Sequence, residues 1–142
     1  ATLLGDLAWQ DVSKLAKAHR MLRLSDQLYA AVGSIGANLA EGYSMGTGKN
    51  RARYYEYALG SARESRDWYN KGRHNLPNDV FEHRGQLLAE ILRLLLTMVP
   101  QQRERTLREE SAEYETASDD IASFQDDNSD TAHHLTQNIP LP

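Results

Sequence analysis

Apolar residues recur at spacings of three and four in separate stretches of the chain, which is the period of an amphipathic helix. The stretches cover residues 3–19, 27–43, 50–75 and 78–99. A glycine-rich segment, EGYSMGTG, follows the second stretch, and Pro100 is expected to end or kink the last. We expect Ser25 or a neighbour to cap the second helix. The pattern predicts an all-α, antiparallel up-and-down four-helix bundle.

The second stretch, QLYAAVGSIGANLAEGY, has no ordinary solvent face. Its core-facing stripe consists of Leu28, Ala31, Val32, Ile35 and Leu39. Its opposite side carries only small residues, namely Ala30, Gly33, Gly36, Ala37 and Ala40. A helix that is uncharged on its outer side is expected to be covered, and one small bundle offers no partner for that side. We therefore expect a homo-oligomer that assembles through this helix.

Composition narrows the class of protein. The chain has 142 residues and no cysteine, so it has neither a disulfide framework nor a cysteine-ligated zinc site. The N-terminus lacks the residue order of a signal peptide, and the apolar run at 87–99 is too short to cross a bilayer. We expect a cytoplasmic protein that does not enter membranes. Because the first helix begins almost at the N-terminus, we expect residues upstream of it.

Charge is divided unevenly along the chain. Residues 1–103 carry 14 basic and 10 acidic side chains, a net charge of +4, whereas residues 104–142 carry 2 and 10, a net −8. These values account for the total of −4. Beyond about residue 116 the sequence shows little apolar periodicity and is rich in Asp, Ser and Thr, a composition typical of disorder. The sequence predicts a bundle domain at 1–110 and a disordered acidic tail at 111–142.

Two motifs carry a resemblance. The segments SIGANLAEGY at 34–43 and YALGSARE at 57–64 resemble the signatures of the bacterial four-helix bundle family named for proteins encoded in intervening sequences of 23S ribosomal RNA genes. The resemblance covers about residues 9–103. It implies a homopentameric ring of four-helix protomers, and distant kinship to the accessory protein that partners reverse transcriptase in diversity-generating retroelements.

Polar residues within these motifs form a set that needs partners. Its members are Ser34, Asn38 and Glu41 on the second helix and Ser61 and Glu64 on the third. The first three share one helix face, and Gly60 is expected to let the helices approach closely. We predict a structural polar network that fixes the register between helices. The alternative is a ligand or catalytic site.

Basic residues cluster on and around the third helix, interleaved with tyrosines and tryptophan. They are Lys49, Arg51, Arg53, Arg63, Arg66, Lys71 and Arg73. Cations and aromatic rings together bind phosphates and stack on bases, which makes this set a candidate nucleic-acid-binding surface. The alternative is a solvated face of ordinary i, i+4 ion pairs, namely Arg63 with Asp67 and Asp67 with Lys71.

Catalysis and metal binding have little support in the sequence. No histidine follows a glutamate by three residues, as a di-iron bundle requires. Two carboxylate pairs, Glu64 with Asp67 and Asp79 with Glu82, have the spacing of a Mg²⁺ site in an all-α nucleotide pyrophosphohydrolase, which is the alternative function. We predict a non-enzymatic scaffold without cofactors or metal that binds RNA, DNA or a nucleic-acid enzyme such as a reverse transcriptase. A third hypothesis is an adaptor that contacts a protein partner through its acidic tail.

Overall fold

The computed structural model describes residues 1–135, with side chains at 1–108 and 110–114. Its α-helices are α1 (Thr2–Leu15), α2 (Leu22–Ser44), α3 (Gly48–Gly72) and α4 (Asn78–Leu135). Short 3₁₀ turns at His19–Met21 and Arg73–Asn75 precede α2 and α4. The described residues form no strand, so the predicted all-α class is confirmed, and the four helices are consistent with a four-helix bundle.

Local chemistry explains where α3 begins. Thr47 caps α3, because its Oγ1 accepts a hydrogen bond from the backbone N–H of Asn50 at 3.3 Å. The expected cap of α2 at Ser25 is wrong. Helix α2 begins three residues earlier, at Leu22, and Ser25 is buried inside it, where its hydroxyl donates to the carbonyl of Met21. A serine inside a helix bonds the preceding turn in this way.

The core lies between the apolar stripes of all the helices. Its fully buried side chains include Leu4 and Leu15 of α1, Leu28 and Ile35 of α2, Tyr69 of α3, and Leu88 and Leu95 of α4. These residues follow the three-and-four spacing of each stretch, which is why the sequence pattern predicts them. The small-residue side of α2 is excluded from this core.

Two glycines mark close contacts between helices. A Cβ added at Gly42 would lie 2.7 Å from Cε1 of Tyr55, so the tyrosine ring of α3 packs directly on the α2 backbone. A Cβ at Gly72 would lie 3.4 Å from the Leu24 side chain. At Gly33 and Gly60, by contrast, an added Cβ would meet nothing within 4 Å. The expectation that Gly60 admits another helix is therefore wrong within this chain.

Helix α4 does not end at Pro100. It continues through the proline to Leu135, so the prediction of disorder from residue 111 differs from the structure over 111–135. No glycine or proline interrupts residues 101–139, and Ala, Glu, Gln and Arg in this segment favour helix. The remainder of the predicted tail, 136–142, lies outside the described residues.

The chain divides into a compact unit at Ala1–Glu104 and a second unit that begins at Arg105. Within residues 1–135, no helix has the length and apolarity needed to cross a membrane.

Candidate nucleic-acid interface

Four positions on the C-terminal half of α3 and the turn after it form a polar strip, which we call the arginine strip. Its members are Arg63, Arg66, Asn70 and Arg73. They follow one another at i, i+3, i+7 and i+10, so they lie along one side of the helix. All are exposed, and no salt bridge of the described residues involves the three arginines. Of the two predicted i, i+4 pairs, Asp67 with Lys71 forms at 2.6 Å, and Arg63 with Asp67 does not.

Two other cations lie on a different side of α3 together with aromatic rings. Arg53 donates from Nε to the hydroxyl of Tyr57 at 2.7 Å, and its guanidinium lies 5.6 Å from the centre of that ring. Lys71 Nζ lies 4.2 Å from the centre of the Trp68 ring. These contacts hold exposed or half-exposed rings beside positive charges, an arrangement that suits stacking of unpaired bases.

Arg51 is engaged in hydrogen bonds within the fold. Its Nη2 donates to the backbone carbonyl of Met45 at 2.7 Å, and its Nη1 donates to Oε1 of Gln102 at 3.1 Å. The side chain is half-buried and ties the loop between α2 and α3 to α4. Lys49, another of the predicted basic residues, is exposed at the start of α3. It lies about 21 Å along the helix from Arg63. The structure thus divides the predicted set into separate groups.

The outer face of α2 is exposed in the single chain at Ala30, Gly33, Ala37 and Ala40, whereas Gly36, which was predicted to share this face, is half-buried. Beside it stand two aromatic rings, Trp9 of α1 and Tyr29 of α2, packed edge to face with centroids 5.6 Å apart. Trp9 is 60% exposed. A small-residue face next to exposed aromatic rings is a surface that a second protein can approach closely.

The predicted polar network does not form between helices. Ser34 donates to the carbonyl of Ala30 and Asn38 to that of Ser34, within α2. Ser61 donates to the carbonyl of Tyr57, and Glu64 accepts from the indole N–H of Trp68, within α3. Glu41 is exposed. These side chains find partners one turn away on their own helix, so burial is not needed to satisfy them.

The four carboxylates of the alternative enzyme do not converge. Asp67 pairs with Lys71, Glu64 accepts from Trp68, and Glu82 accepts from Asn78 at 2.9 Å. In the described part of the chain, no group of three or more His, Asp or Glu residues is placed to hold a metal ion.

A buried polar cluster of Asp11, Tyr69 and Arg84 was missed by sequence reasoning. Arg84 Nε lies 2.7 Å from Asp11 Oδ2, and Nη2 lies 3.1 Å from Oδ1. The Tyr69 hydroxyl donates to the same Oδ2 at 2.9 Å. Asp11 is only 1% exposed and Arg84 8%. The cluster joins α1, α3 and α4, and its geometry satisfies every member, so its role is to fix how the helices pack.

Proton affinities in this cluster reflect its burial. Burial raises the pKa of Tyr69 well above its usual value, and the charge and hydrogen bond of Asp11 raise it further. Burial lowers the pKa of Arg84, but the hydrogen bonds and charge of Asp11 outweigh this effect and hold it above its usual value. The sequence does contain a signal, because Asp11 and Arg84 occupy core spacings relative to Leu15 and Leu88.

Comparisons with known proteins agree with this architecture. The family described as 23S rRNA-intervening sequence protein matches residues 4–97. A crystal structure of a protein of unknown function, from the S23 ribosomal protein family of Bacteroides thetaiotaomicron, is similar with a TM-score of 0.52 and 19% identity. The match covers 68% of this chain and 97% of that one, and it shows likeness of fold. No curated protein matches the sequence. The chain belongs to the 23S rRNA-intervening sequence protein family.

Proposed function

We propose that this member of the 23S rRNA-intervening sequence protein family is a non-enzymatic scaffold that self-associates through α2 and binds nucleic acid through α3. The observation that carries the proposal is the arginine strip, three exposed arginines without salt bridges on one side of a helix. Free guanidinium groups at this spacing contact phosphates, and an adjoining amide at Asn70 adds a hydrogen-bonding group. The bound polymer is RNA or DNA, presented to an enzyme such as a reverse transcriptase.

Self-association would repeat the strip around an assembly. One strip offers few phosphate contacts and hence weak binding, whereas several strips on one particle raise the avidity without any new contact. The outer face of α2 supports this role, since it is small, uncharged and exposed, and it adjoins the exposed Trp9 and Tyr29 rings. A homopentamer is the assembly we propose on the resemblance to the family.

Binding is tested by removing the strip. The variant with Arg63, Arg66 and Arg73 changed to Gln should bind single-stranded and duplex RNA more weakly, to a similar degree for unrelated sequences. The matched control changes Arg20, Arg23 and Arg93 to Gln; these arginines are also exposed, and the net charge falls equally. Equal losses in the two variants would show that only total charge matters and would overturn the assignment of the strip.

Self-association is tested separately by light scattering. Ala37→Glu places a carboxylate on the outer face of α2 and should dissociate the assembly, because an unpaired charge is costly to bury. Ala89→Glu is the matched control, since Ala89 is an exposed alanine on α4. A wild-type mass equal to the 16.0 kDa protomer at micromolar concentration would remove the assembly from the proposal.

A further inference from the structure

Residues 105–135 of α4, which we call the acidic segment, carry a heptad repeat. On the helical backbone that continues to Leu135, one set of positions seven residues apart holds Leu107, Tyr114, Ile121, Asn128 and Leu135. A second set, three residues after each of the first four, holds Glu110, Ala117, Phe124 and Thr131. These are the a and d positions of a coiled coil, and a single Asn at an a position is a common device that fixes register.

The first two a-position side chains of this repeat are exposed to solvent. Leu107 is 63% exposed and Tyr114 is 78% exposed, and both are a positions. A helix with a narrow apolar seam and no packing partner is marginally stable in water. Its intrinsic helix propensity offsets little of the free-energy cost of nucleation. The repeat and the exposure of its first two members therefore point to a partner helix.

Charge indicates which partner fits. The g positions beside the seam hold Glu113, Asp120 and Asp127, and the e positions hold Ser111, Ser118, Gln125 and Ala132, which are uncharged. Pairing with a second copy would bring together two segments that each belong to a net −8 region, and in a parallel, in-register pair it would place Glu110 against itself in the seam. A helix with Lys or Arg beside its own seam would instead pair with the acidic g positions and with Glu110.

We propose that residues 105–135 are one helix of a heterotypic coiled coil, and that its partner is a basic amphipathic helix of another protein. The seam supplies apolar contact, the acidic g positions select a cationic partner, and Asn128 fixes the register. This inference is independent of nucleic-acid binding, because it concerns a different unit of the chain.

The test uses the full chain and a synthetic peptide as long as residues 107–135. The peptide carries Ile at a, Leu at d, Asn opposite Asn128, and Lys at e and g. A second peptide has the same composition and charge in shuffled order, so it lacks the heptad spacing. Calorimetry should show that the heptad peptide binds at least roughly tenfold more tightly than the shuffled one. Equal affinity would mean attraction by charge alone, and no binding would mean no docking seam; either result overturns the proposal.

Two variants locate the contact. Ile121→Ala with Phe124→Ala removes the seam while keeping strong helix formers, and it should weaken binding of the heptad peptide at least roughly tenfold. Thr116→Ala with Ser123→Ala changes two c positions and should leave affinity unchanged. If the two pairs lose affinity equally, the seam is not the contact.

A cysteine variant tests the rival occupant, a second copy. The chain has no cysteine, so Ile121→Cys introduces a single thiol at an a position, and Asp119→Cys introduces one at an f position as the control. Under mild oxidation both should cross-link equally slowly. Rapid cross-linking of Ile121→Cys alone would show that copies of this chain occupy each other's seams, and it would overturn the heterotypic partner.

Discussion

Replacing Asp11 with alanine would leave the Arg84 guanidinium buried without its carboxylate. In the native chain Arg84 makes two bonds to Asp11, at 2.7 and 3.1 Å, and Tyr69 donates a third at 2.9 Å. Removing one partner of a buried ion pair costs about 3–5 kcal/mol, because the remaining charge is desolvated without compensation. The free energy of unfolding of the Ala1–Glu104 unit should fall by this amount.

Thermal unfolding followed by circular dichroism measures the loss. In a domain of this size, each kcal/mol shifts the unfolding midpoint by about 4–8 °C, so Asp11→Ala should lower Tm by about 12 °C or more. Asp6→Ala, in the same helix but exposed, is the control and should change stability by less than about 0.5 kcal/mol.

A double variant separates the cost of an orphaned charge from the value of the pair. In a Tyr69→Phe background, which removes the hydroxyl that would otherwise lose its acceptor, Asp11→Leu with Arg84→Met replaces both charges by apolar groups of similar size, and such replacements are neutral or stabilising by about 1–4 kcal/mol. It should therefore recover most of the stability lost in Asp11→Ala. If Asp11→Ala unfolds at the same temperature as Asp6→Ala, the reasoning about this cluster is refuted.

The remaining predictions address pH, packing and the acidic segment. The pKa of Tyr69 is raised in the folded state, so its contribution to stability is fully present below the usual tyrosine pKa of about 10 and is lost as pH rises above it; Tyr69→Phe should flatten urea-unfolding stability in that alkaline range. Gly42→Ala should cost about 1–3 kcal/mol in urea unfolding because its Cβ would meet the buried Tyr55 ring, whereas Gly60→Ala, on α3 and with no atom within 4 Å of the added Cβ, should stabilise by up to about 1 kcal/mol. The two variants should change the free energy of unfolding in opposite directions, and equal changes would contradict this prediction. Truncation after Glu104 should tighten RNA binding at low salt if the acidic segment competes with phosphates, and the difference should shrink as salt rises; equal affinities of the full-length and truncated chains would show that the segment does not compete.

The helices were predictable because each buries one stripe. Leu28 and Ile35 recur at the spacing of a core-facing helix, and both are fully buried. The acidic segment was predicted to be disordered because it lacks apolar periodicity, a feature that does not by itself argue against a helix. Residues 101–139 contain no helix breaker, and strong helix formers continue α4 to Leu135.

The site was predictable only in part. The basic character of α3 follows from composition, but the division among the arginine strip, the aromatic-backed Arg53 and the anchored Arg51 depends on helical phase and on neighbours such as Gln102. The polar network failed because a serine on a helix is satisfied as easily by its own preceding turn as by another helix. Asp11 and Arg84 stand 73 positions apart, so only the packing of α1 against α4 pairs them.

The most direct test of the account is the salt dependence of RNA binding by the full chain. We predict that log Kobs falls linearly with log salt at about 0.9 per phosphate neutralised, and that changing Arg63, Arg66 and Arg73 to Gln reduces the steepness by about 2–3. The control variant with Arg20, Arg23 and Arg93 changed to Gln should keep nearly the wild-type slope. No measurable RNA binding by wild type at low salt, or equal slopes for the two triple variants, would contradict nucleic-acid binding through α3.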